Sequence, residues 1–104
     1  MLLGTLIDLV SEGEKLALLM RASKDRGWAK VQHVAWRASV KEHLKDDPLA
    51  LARFCNARPV LDVRVGMASE IAGDWQSLQG ELAVLIAIAG EREQAQWWAW
   101  WRKH

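Results

Sequence analysis

The chain has 104 residues, a formal net charge of +1, 51% hydrophobic and 26% charged residues. These values suit one domain, 1–104, with a modest core, and they exclude a disordered or collagen-like chain. Cys55 is the single cysteine, which excludes an internal disulfide framework and suits a reducing, cytoplasmic compartment.

The charge is unevenly spread. Residues 1–14 sum to −3, residues 15–45 to +6 and residues 46–104 to −2. A basic middle between acidic ends can draw nucleic acid or an acidic protein, or can be neutralised within the fold. The first residues are apolar but carry no basic region, and Asp8 interrupts them, so no cleaved leader is expected. The longest apolar run, Leu82 to Ala89, has eight residues, against about 20 for a membrane span. No span is expected.

Leu2, Leu6, Leu9, Gly13, Leu16 and Met20 recur at helical spacing, widened by Leu3, Val10 and Ala17. This predicts a first helix over 2–22 with a soft spot at Ser11–Glu14, where Gly13 costs helix stability. Residues 23–27 read as a turn. A second helix is predicted from Trp28 to Lys45, with an apolar face through Trp28, Val31, Val34, Ala35, Ala38, Val40 and Leu44. Along its edge lie Arg26, Lys30, His33, Arg37, Lys41 and Lys45, spaced by three and four. Asp47 is placed as the cap and Pro48 as the first residue of a short third helix through Cys55. Cys55 reads as a buried structural thiol.

Residues 60–65 are rich in β-branched side chains and would suit a strand, but no second strand is there to pair with it. A heptad stripe passes through Leu61, Val65, Ala68, Ala72, Trp75, Gln79, Leu82, Ile86 and Ala89, so a long C-terminal helix from Val60 to Trp101 is predicted. Gly66, Gly73, Gly80 and Ala87 recur every seven residues beside it. Close approach of another helix, or kinks, would account for them. Unbroken, such a helix would extend about 60 Å, so a bend near Gly73 or Gly90 is expected, and independently a homodimer.

Its last turns carry Trp97, Trp98, Trp100 and Trp101, followed by Arg102. Indoles concentrate at interfaces. Four readings compete: a completed core, a protein hot spot, a bilayer interface and base stacking. The basic edge of Arg26, Lys30, Arg37, Lys41 and Lys45 suits a phosphate backbone, but no recognition motif accompanies it. His33 reads as exposed or paired. His43 with Asp46 and Asp47 lacks the spacing of a zinc site. No phosphate loop, nucleophile elbow or paired-carboxylate motif occurs.

The expectation is therefore an all-α, small antiparallel bundle of about four helices. Its expected role is a non-enzymatic interaction module, an adaptor, assembly factor or inhibitor, with no cofactor or metal. It would dock on a larger protein through the tryptophans and the basic edge. The alternative is a nucleic-acid-binding module using the basic edge.

Overall fold

The computed structural model describes residues 3–61 and 69–103. Four α-helices make up the bundle: α1 Leu3–Ala22, α2 Arg26–Leu44, α3 Pro48–Cys55 and α4 Ser69–Lys103. The all-α bundle with a long C-terminal helix is thus the observed architecture. None of the described helices is long and apolar enough to cross a membrane.

α1 continues through Gly13, because the soft spot is a packing requirement. A Cβ at Gly13 would lie 2.6 Å from Leu82 and 2.8 Å from the Trp36 ring. Trp36 reaches across to donate its indole N–H to the Leu9 carbonyl at 2.8 Å. The short turn after α1 makes α2 its antiparallel neighbour. Asp25 caps α2 by accepting from the Trp28 N–H at 3.0 Å, so α2 begins two residues earlier than the apolar spacing indicates. Its buried face runs through Ala29, His33, Trp36, Val40 and Leu44, while Val31 and Val34 face outward.

α3 starts as its cap predicts, with Asp47 accepting from the Ala50 N–H at 3.2 Å and Pro48 at its first position. It buries Ala50 and Phe54, the latter edge-on to Trp36 with centroids 5.8 Å apart. Cys55 is exposed, contrary to the buried thiol expected. The helix is too short to bury both flanks, and Phe54 takes the inward position. The chain then returns along α4. Val60 donates its N–H to the Gln76 carbonyl at 3.0 Å, and the Arg58 carbonyl lies against Gly80.

Val60 and Leu61 are not helical, so the long helix does not begin at Val60. Residues 62–65 of the ambiguous stretch, and Val65, Gly66 and Ala68 of the two repeats, lie outside the described residues. α4 has 35 residues, about 52 Å at 1.5 Å per residue, and the longest dimension of the molecule is 52 Å. α4 is helical without a break through Gly73 and Gly90. Its buried stripe is Ile71, Trp75, Leu78, Leu82, Leu85 and Ile88. Gln79 is half-buried and Ile86 is 48% exposed, so the stripe is rotated from the expected one. Residues 82–89 are apolar on every side, and only packing against α1 and α2 selects which side is covered.

Candidate interaction surface

From Glu93 to Arg102 every residue of α4 is exposed. The last ion pairs that tie α4 to α3 are Arg53–Glu91 and Asp47–Arg92, each at 2.6 Å. Beyond them the helix projects past the bundle with no cover. Trp97, Trp98, Trp100 and Trp101 are between 49% and 57% exposed. They do not complete the core.

The rings organise one another instead. Trp97 and Trp101, one turn apart, stack at 5.7 Å with an interplanar angle of 9°. Trp98 meets Trp97 edge-on at 5.1 Å, and Trp100 lies 6.4 Å from Trp101. The i, i+4 spacing brings such side chains together on a helix. The result is a preassembled wall of indole with Arg102 exposed at its end. Holding the rings together lowers the ordering cost of any later contact. Below it, a hollow of about 450 Å³ opens between α1 and α4, bordered by Ala17 and Leu18 on one side and Gln79, Ala83 and Ile86 on the other.

The basic edge of α2 is divided by the fold. Arg26, Lys30 and Lys41 are exposed. Arg37 turns inward and donates to Glu81 at 2.5 Å, and Lys45 pairs with Glu42 at 2.6 Å. His33, in line with this edge, is only 1% exposed, because its 4–3 spacing with Ala29 and Trp36 also places it on the buried face. Its two ring nitrogens face Asp74 at 3.2 Å and Glu81 at 2.5 Å. Burial pushes the Glu81 carboxyl up, but hydrogen bonds from His33 and Arg37 outweigh it and hold the group below its ordinary value near 4.5. Two hydrogen-bond partners on one buried carboxylate, one of them the Arg37 guanidinium, decide the sign.

The contribution of Asp74 and Glu81 was hidden in the sequence. They sit seven residues apart on α4, a spacing that puts them on one face. His33 and Arg37, one turn apart on α2, meet them as hydrogen-bond partners. Among the described residues no group of three His, Cys, Asp or Glu is arranged to hold a metal ion. Compared with known proteins, the chain matches no family model, no curated protein and no solved structure.

Proposed function

We propose that the protein is a non-enzymatic interaction module whose projecting α4 end docks on another protein. The observation that supports this most directly is the cluster of four half-exposed indoles, two of them stacked, on helix that the bundle leaves uncovered. Leaving this much aromatic area in water is unfavourable at roughly 25 cal/mol per Å², and an interface recovers it. Tryptophan anchors are also the commonest hot spots of such interfaces. Adaptor, assembly-factor and inhibitor roles all rest on this one contact.

The nucleic-acid alternative draws less support. Arg37 and Lys45 are engaged by Glu81 and Glu42, and His33 is buried, which leaves a sparse outward edge. Phosphate binding would weaken steeply and linearly with the logarithm of salt concentration. An indole-anchored contact would persist through the same titration.

The test is a Trp98→Ala, Trp101→Ala double substitution compared with the unaltered chain. Partner binding should fall by 100-fold or more, at about 2 kcal/mol or above for each lost anchor. Thermal stability should stay within a degree or two, because neither ring is packed in the core. Unfolding of the isolated double variant would refute the assignment of these rings to an interface.

A further inference from the structure

We infer that the buried cluster of His33, Asp74, Glu81 and Arg37 is a proton-binding site, in which the His33 ring carries a hydrogen on both nitrogens and clasps α2 to α4. This is independent of what the indoles of α4 meet. Ionised carboxylates only accept hydrogen bonds, and a neutral imidazole has a single N–H to give. Yet His33 presents Nδ1 to Asp74 Oδ1 at 3.2 Å and Nε2 to Glu81 Oε1 at 2.5 Å. A contact as close as the second needs a hydrogen between nitrogen and oxygen.

That hydrogen belongs to the ring. Arg37 donates to both oxygens of Glu81, from Nε to Oε2 at 2.5 Å and from Nη2 to Oε1 at 3.3 Å, which keeps this carboxyl ionised. Arg37 Nη2 also lies 3.1 Å from His33 Nε2. Nε2 cannot accept from it while donating to Glu81, so Nη2 takes Oε1 as its acceptor. Nδ1 is then left facing Asp74. Bare, it would set a lone pair against a carboxylate oxygen; only a second N–H turns the contact into a bond.

The charges agree with this count. With both N–H groups in place, His33 and Arg37 bring two positive charges to two carboxylates, whereas a neutral ring leaves one anion unbalanced in a buried site. His33 is 1% exposed, so water does not stand in for a missing donor. Among the described residues, α1 and α3 bring no charged group within hydrogen-bond or ion-pair distance of the ring. On α2, Lys30 and Lys41 are exposed. Lys41, Cys55 and Ser77 border a cavity of about 240 Å³ beside Glu81, and the Asp74 side chain is 27% exposed. The proton thus has a route to solvent at each end of the cluster.

Unfolded, an imidazole releases its proton between about pH 5 and 8. The folded contacts require that proton, so on the alkaline side the fold binds more protons than the unfolded chain, and stability falls as pH rises there. His43 cannot produce such a loss. Burial lowers its value, so it costs stability only as pH falls.

The experiment uses the full chain labelled with 15N, beside an Asp74→Asn variant. In the unaltered chain at about pH 7.5, both His33 ring nitrogens should show the 15N shift of a protonated nitrogen, where a free imidazole is mostly neutral. Its melting temperature should fall by about 5 °C or more from about pH 7 to about pH 9. The amide in Asp74→Asn can donate to a bare Nδ1 as readily as it accepts from an N–H, so the second hydrogen is no longer required. In that variant Nδ1 should show the shift of a bare nitrogen at the same pH, and the alkaline fall should shrink by half or more. His43→Gln should leave the fall unchanged. A bare Nδ1 in the unaltered chain overturns the inference, whether or not the variant folds. So does a melting temperature that holds steady on the alkaline side, or an alkaline fall of equal size in the unaltered chain and in Asp74→Asn.

Discussion

Glu81 is 6% exposed and is approached by the His33 ring and the Arg37 guanidinium, while Asp74 holds the other side of the same ring. A carboxylate this buried is tolerated only because both oxygens are satisfied. Removing one member of a buried ion pair such as Arg37–Glu81 costs about 3–5 kcal/mol. Glu81→Leu is accordingly expected to destabilise the bundle by that order in chemical denaturation. The pH dependence follows from the lowered carboxyl value. A group depressed in the folded state contributes stability that is present above its ordinary value near 4.5 and lost as pH falls through the folded value. Melting temperature should therefore fall as the pH is taken below that value, and Glu81→Gln should flatten that part of the profile. An acid limb of equal steepness in both proteins would show that another group is responsible.

At the scale of elements, the glycines of α4 separate into two kinds. Gly80 is required, since a Cβ there would collide with the Arg58 carbonyl of the returning chain, whose hold on α4 is the Val60–Gln76 hydrogen bond. Gly73 has nothing within 4 Å of the place its Cβ would take. The seven-residue glycine repeat is thus not one device: where it is needed, a loop and not a helix makes the approach. Gly80→Ala should destabilise by about 1–3 kcal/mol, as overpacking against backbone does. Gly73→Ala should stabilise by about 0.5–1 kcal/mol through helix propensity alone. Paired thermal melts read both signs, and a stabilising Gly80→Ala would mean the returning chain is not held where the structure places it.

At the scale of the whole molecule, one long helix carries two unlike segments. The first, from Ile71 to Ile88, is clamped by α1, α2 and α3; the second, from Glu93 to Arg102, is exposed at every residue. A helix of about ten residues is marginal alone in water, so this end is stabilised by continuity with the clamped part and by its indole stack. Hydrogen exchange across a dilution series should show strong protection through Ile88 and a steep loss beyond Arg92. Uniform protection at every dilution would mean that the tail is covered within a single copy.

The four-helix order, the caps at Asp47 and Pro48, and the α1 stripe of Leu6, Leu9, Gly13, Leu16 and Met20 were all written locally. Capping and periodicity depend on residues within a turn or two of one another, so a sequence displays them directly. The position of the indoles on one side of the last helix was legible for the same reason. What the sequence could not decide was which side of α4 faces inward, since residues 82–89 are apolar all round. Nor could it decide between the exposed and the paired reading of His33, because the acids that pair with it lie on another helix. Those outcomes depend on side chains more than forty positions away, such as the pairing of His33 with Asp74 and Glu81. Only the packed fold brings such groups together, and in doing so it left the four indoles of the last turns uncovered.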